Sequence, residues 1–265
     1  MSQKLIREMT LEDSVLRDMP PPVAILEVPV HPLTVSQLHT KIQNVIEQRR
    51  KAMFLHVNLH ALNLAYENRW LLEFFQSAEC VFCDGAGVRL AALLYGTHLP
   101  PRITYADWAW QLAEFTEQKG FSIYFLGAKP GIAAKAAAHL QQHFPALNVV
   151  GINHGYFDKS AGSAENLAVI QQINACKPNI LVIAFGMPLQ ERWLMENAHH
   201  INANVILTGG AVFDFISGEL RRGPRWMTNY GFEWLARLLI EPRRLWRRYL
   251  VGTPLFFWRV FRQHF

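Results

Sequence analysis

Cysteine is scarce in these 265 residues, which hold only Cys80, Cys83 and Cys176. An odd number at such spacings forms no disulfide framework, so a reducing compartment is expected. Acidic residues never occur as Asp-x-Asp, which removes the usual carboxylate pair that holds a divalent cation against a nucleotide diphosphate. Neither G-x-G-x-x-G nor a P-loop is present, so the two common glycine-rich phosphate cradles are missing. No apolar run reaches the ~18 residues needed to cross a bilayer. The opening MSQKLIREMTLEDSVLRDMP also lacks the apolar stretch of a secretory signal. A cytoplasmic location is the expectation.

Charge is abundant in one place. Residues 221–265 carry ten arginines, no lysine and two acids, Glu233 and Glu241, a net +8. The first 220 residues are slightly acidic, with 16 Lys and Arg against 19 Asp and Glu. The overall charge of +5 therefore describes the tail, whose partner should be anionic.

Residues 1–22 are charged and end in Pro20-Pro21-Pro22, which reads as a mobile leader. Over 23–220, apolar runs at 23–30, 52–57, 80–83, 121–127, 147–151, 179–186 and 204–210 alternate with amphipathic stretches. The stretches 34–49, 59–76, 86–95, 130–143, 164–175 and 188–199 read as helices. Strands apolar on both faces and separated by helices predict an α/β, Rossmann-like parallel sheet flanked by helices. Residues 221–265 follow as a basic, aromatic-rich helical appendage. With no low-complexity linker, this appendage is expected to dock on the body.

In open parallel sheets, ligands collect at the carboxyl ends of strands. Four such ends carry polar or glycine-rich residues: His56-Val57-Asn58, Asp84-Gly85, the turn from Gly127 to Gly131, and Gly186 to Glu191. Asp84 is either a general base, its pKa raised by burial, or a cap on the helix that follows. Gly85 would let a substrate approach the backbone. The Gly127 turn reads as a phosphate cradle or as a plain strand-to-helix turn. In the first turn of a helix opened by Pro188, Gln190 is expected to face the cleft and Glu191 to complement the helix N-terminus. Arg102 is either a counter-charge for a leaving diphosphate or a solvated arginine. Asp214 reads as a contact to ribose or base, or as another helix cap, and Asp107 as a helix cap.

Metal readings fare poorly. Cys80 and Cys83 fall on opposite faces of one strand and read as buried thiols. His56 and His60 straddle a strand-to-helix junction. No cofactor is expected. In the tail, Arg237, Arg243, Arg244, Arg247 and Arg248 lie among Trp234, Leu238, Trp246 and Tyr249, a composition suited to the headgroup layer of an anionic membrane. Nucleic acid is the competitor, but no nucleic-acid-binding motif accompanies the charge. A docking helix with a solvated arginine face is the third possibility.

Taken in order, Asn58, CDGAGV (83–88), PPRITYADW (100–108), YFLGAKPG (124–131), FPALNVVGINHGYF (144–157), KPNILVIAFGMPLQERW (177–193), TGGAVFDFISGELRRGPRWM (208–227) and FEWLARLLIEPRRLWRRYL (232–250) resemble the WecG/TagA/CpsF glycosyltransferases, glycosyltransferase family 26. The resemblance implies metal-independent, inverting transfer from a UDP-sugar to a polyprenyl-diphosphate-linked sugar in cell-surface polysaccharide synthesis. It implies Asp84 as base, and Asn58, Arg102 and Gln190 at the nucleotide-sugar site. It also implies that the tail arginines close over that site and hold the lipid diphosphate on the inner face of the cell membrane. A homo-oligomer is consistent with the family.

Two positions depart from the family pattern, His56 where Thr is common and Tyr105 where Gly is common. Both fall near the inferred sugar pocket, which leaves N-acetylmannosamine, glucose and other hexoses open as the donor sugar. The competing readings are a dinucleotide-dependent oxidoreductase, which the missing G-x-G-x-x-G opposes, and a non-catalytic membrane-docking module.

Overall fold

The computed structural model describes residues 19–220, 223, 224, 227 and 233–264. Most of the expected leader, and Arg221, Arg222, Trp226 and Phe232 of the appendage, lie outside the described residues.

Six parallel strands form the main sheet: β3 (Ala52–Val57), β4 (Cys80–Cys83), β5 (Ser122–Gly127), β6 (Asn148–Asn153), β7 (Ile180–Ala184) and β8 (Val205–Thr208). Their spatial order is β4-β3-β8-β7-β5-β6. Strands β4, β7 and β8 are buried along their whole length, as a sheet covered on both faces requires. This is the Rossmann-like architecture that the alternation predicts.

The run 23–30 differs from the single strand expected of it. It folds back as a two-stranded antiparallel hairpin, β1 (Val23–Ile25) and β2 (Val28–Val30), outside the main sheet. Leu26 and Glu27 both take positive φ, +49° and +67°, the backbone of a two-residue turn whose twist matches the strands. Neither residue type signals such a turn. His31, just beyond the hairpin, bonds to Val81 and so covers part of edge strand β4.

One layer of helices holds α1 (Val35–Glu47), α5 (Tyr105–Lys119), α6 (Ile132–His143) and α9 (Val212–Ile216), packed on Phe54, Phe82, Phe125 and Val182. The opposite layer holds α2 (Leu59–Glu67), α3 (Arg69–Gln76), α4 (Ala86–Leu94), α7 (Ala164–Cys176) and α8 (Leu189–Asn197), packed on Leu55, Val81, Leu181 and Ile206. The stretch 59–76 is two helices meeting at Asn68, whose extended ψ of 104° breaks the run. Cys80 and Cys83 point into opposite layers, and burial raises both thiols to about 12.

The appendage supplies α10 (Glu233–Ile240), α11 (Pro242–Trp246), a π-helical turn over Arg247–Val251, and α12 (Gly252–His264). Helix α12 docks on α2. Phe256 and Val260 are fully buried in the second layer's core, each worth roughly 1.5–3 kcal/mol. Arg259 is buried as well, donating to Asn63 Oδ1 at 2.9 Å and to Glu67 at 2.6 Å, with Tyr66 stacked beneath its guanidinium. Asn63 in turn donates to the Gly252 carbonyl at 2.7 Å. Hydrophobic burial and a paired cation thus fix the appendage to the body, as the missing linker suggested.

Candidate active site

All six strand ends open into one cleft of about 1510 Å³. Asn58 follows β3 and Asp84 follows β4. Lys129 stands beyond β5, Tyr156 and Phe157 beyond β6, Phe185 beyond β7, and Gly210 beyond β8. The appendage forms the facing wall with Glu233, Arg237, Arg244, Arg247 and Arg248.

Asp84 lies at the floor, where its N–H donates to the Val57 carbonyl at 2.8 Å and ties the two strand ends together. It does not cap α4. The capping position is Gly85, and no side chain bonds to the first turn. Burial drives the Asp84 carboxyl up to about 8, reinforced by the charge of Glu233 and opposed by Arg102, Arg237 and Arg248. Arg102 is mostly buried and pairs with Glu233 at 3.2 Å. A carboxyl held in this way is a stronger proton acceptor than an ordinary carboxylate once it ionises, and the cations around it favour anionic ligands.

Around Asp84 stand two rings. His56 sends Nδ1 to the Thr208 carbonyl at 2.7 Å, and burial lowers its pKa to about 4. Tyr105, the first residue of α5, packs edge-on against His56 with centroids 5.1 Å apart. Asn58 caps α2, its Oδ1 accepting from the N–H groups of His60 and Ala61 at 3.1 Å each. Among the described residues, no group of three His, Cys, Asp or Glu is arranged to hold a metal ion.

The model of the glycosyl transferase WecG/TagA/CpsF family matches residues 23–265. The chain belongs to this family. Three relatives named N-acetylglucosaminyldiphosphoundecaprenol N-acetyl-beta-D-mannosaminyltransferase illustrate the range. That of Bacillus spizizenii W23 is 29% identical over 82% of this chain and 80% of its own. That of Bacillus subtilis 168 is 27% identical over 78% of each. That of Staphylococcus aureus NCTC 8325 is 27% identical over 95% of this chain and 96% of its own.

In this glycosyltransferase the residues singled out from sequence divide into those that line the cleft and those behind its wall. His56, Asn58, Asp84, Asp214, Arg237, Arg244, Arg247 and Arg248 line it. Arg243 is exposed and does not. Arg102 sits behind the wall, held by Glu233, and is no solvated arginine. Gly85 packs against Asn58. Gly127 meets the need for close approach, since a Cβ there would collide with the Ala184 backbone of β7, while its neighbours Ala128 and Lys129 reach the cleft.

Gln190 differs most from expectation. It is fully buried, donates to Glu191 at 2.8 Å and accepts from the Gly210 N–H at 3.1 Å, so it braces the turn after β8 from behind. Glu191 is in the first helical turn, as expected, but is also fully buried, which raises its carboxyl to about 7. Asp107, in the first turn of α5, accepts a hydrogen bond from the Thr104 hydroxyl at 2.9 Å. Sequence reasoning missed Glu233, which counted there only as a subtraction from the tail's positive charge. It also passed over Lys159, whose ammonium lies over the Phe157 and Phe185 rings. The signal for Lys159 was its place just past a strand end.

Proposed function

We propose that this glycosyltransferase moves a hexose or N-acetylhexosamine from a UDP-sugar to a polyprenyl-diphosphate-linked sugar, by inverting, metal-independent displacement, at the cytoplasmic face of the membrane. The observation that carries the reading is Asp84, an uncapped carboxyl at the cleft floor that the appendage surrounds with charge. In the displacement, the acceptor hydroxyl gives its proton to Asp84 as its oxygen bonds to the sugar's anomeric carbon on the face opposite the leaving UDP. The bond from that carbon to the diphosphate oxygen breaks, and the electron pair leaves on the diphosphate. Arg237, Arg244, Arg247 and Arg248 supply positive charge for the diphosphate groups of donor and acceptor. The acceptor class follows the names of the relatives, each of which describes transfer to an undecaprenyl-diphosphate-linked sugar.

The membrane reading rests on exposed residues of the same appendage that do not line the cleft. Leu239, Leu250, Trp258 and Phe261 are exposed there, along with Arg243 and Arg262. Apolar side chains interleaved with cations suit a headgroup layer. No helix among the described residues is long and apolar enough to cross a membrane. In this reading 23–220 is the catalytic domain and 221–265 the acceptor- and membrane-binding appendage. A panel of radiolabelled UDP-sugars, with polyprenyl-diphosphate-linked acceptor in anionic vesicles, tests the proposal. Transfer by the wild type is expected, and equal turnover by Asp84→Asn would remove Asp84 as the base.

A further inference from the structure

Beside Asp84 the cleft wall carries two polar groups that proton transfer and diphosphate binding leave unused, one on His56 and one on Tyr105. The Nδ1 of His56 stands 2.7 Å from the Thr208 carbonyl. A carbonyl only accepts, so Nδ1 carries the proton and Nε2 is a bare acceptor. Burial keeps that ring neutral. Nε2 faces the turn after β8, where Gly210 has no side chain to cover it; a Cβ there would lie 3.8 Å away.

Tyr105 stands against the same ring, braced by Trp108 at 5.0 Å and Phe82 at 6.0 Å between centroids. Its hydroxyl is buried and has no hydrogen-bond partner, although the residue lines the cleft. Buried hydroxyls are nearly always paired in folded proteins. One without a partner, set in a cleft wall next to a bare acceptor, is a place prepared for a ligand atom.

We infer that His56 and Tyr105 together read the donor sugar, and that they take a free hydroxyl in preference to an acetamido group. The inference rests on the cleft being the donor site of a sugar transfer. A sugar hydroxyl can donate to His56 Nε2, and a sugar oxygen can accept from the Tyr105 hydroxyl. An acetamido group brings a carbonyl and a methyl that need room. His56 and Tyr105, each only 5% exposed and backed by Phe82 and Trp108, have no space into which to recede.

Calorimetric titration of the full-length protein with UDP-glucose, UDP-N-acetylglucosamine and UDP-N-acetylmannosamine, with UDP as reference, tests this. The wild type is expected to bind UDP-glucose about tenfold or more tightly than either acetamido donor. Tyr105→Phe keeps the ring and removes the hydroxyl; His56→Asn keeps a donor for Thr208 and removes Nε2. Each should weaken UDP-glucose binding and so narrow the preference, while leaving affinity for UDP within about twofold. A wild type that favours an acetamido donor, or a preference that both substitutions leave undiminished, overturns the inference. Failure of UDP itself to bind would instead sink the donor-site reading beneath it.

Discussion

Two carboxylates face the same cleft from two strand ends, and their surroundings set them apart. Asp84 follows β4 and is driven to about 8 by burial and by Glu233, with Arg102, Arg237 and Arg248 pulling the other way. Asp214 follows β8 in the first turn of α9. Burial raises its pKa as well, but it is only half-buried, and its countercharges are Lys129 and Arg244. A strand-end position is common to both. What distinguishes Asp84 is its deeper burial and the three charges the appendage delivers beside it, Glu233, Arg237 and Arg248, against Arg244 beside Asp214.

The sharpest way to break this comparison is to neutralise each carboxylate in turn. Asp84→Asn should lower kcat by roughly 10²–10⁴-fold, the usual contribution of a positioned base, with donor affinity retained. Asp214→Asn should stay within about tenfold of wild type and act through KM, as loss of a binding contact does. Matching losses in single-turnover kinetics would erase the distinction. Next in size is loosening the appendage. Phe256→Ala empties a fully buried site and should cost about 3–5 kcal/mol. Faster tryptic cleavage at the appendage arginines, together with a fall in kcat, is the expected result. Unchanged kcat with a released appendage would show that Asp84 works without its cover.

The smallest effect is the most specific. Asp84 acts as a base only when ionised, so kcat/KM should rise with pH through about 8. Glu233→Gln removes a negative neighbour of Asp84 and the carboxylate charge that faces Arg102 at 3.2 Å. Both changes favour the carboxylate, so the inflection should move down by about one unit, worth roughly tenfold in rate well below it. In Asp214→Asn the inflection should not move. An inflection unmoved in Glu233→Gln would detach the appendage from the base's chemistry.

Much of the scaffold was legible because it depends on local pattern. The runs 52–57 and 80–83 are strands within the predicted bounds, since both faces of a covered parallel strand must be apolar. Their polar ends, Asn58 and Asp84, come together because parallel strands end on one side. The hairpin at 23–30 was hidden because Leu26 and Glu27 take a backbone that their residue types do not announce. Gln190 was misplaced by the rule that helix N-termini face ligands. Its amide is spent on Gly210, a partner twenty residues away that no spacing reveals. Glu233 was invisible for a similar reason. Its meaning comes from Arg102, and the docking of α12 through Phe256 and Arg259 helps to hold the appendage where the two can meet.

That docking also binds two equilibria into one. The cleft has a floor from the body and a facing wall from the appendage, so a ligand touching both joins them. Whatever factor the seated appendage adds to the ligand's affinity, the bound ligand must return to the appendage's hold on the body. Substrate occupancy and protection of the α2–α12 contact from hydrogen exchange should therefore rise and fall together, each serving as a gauge of the other.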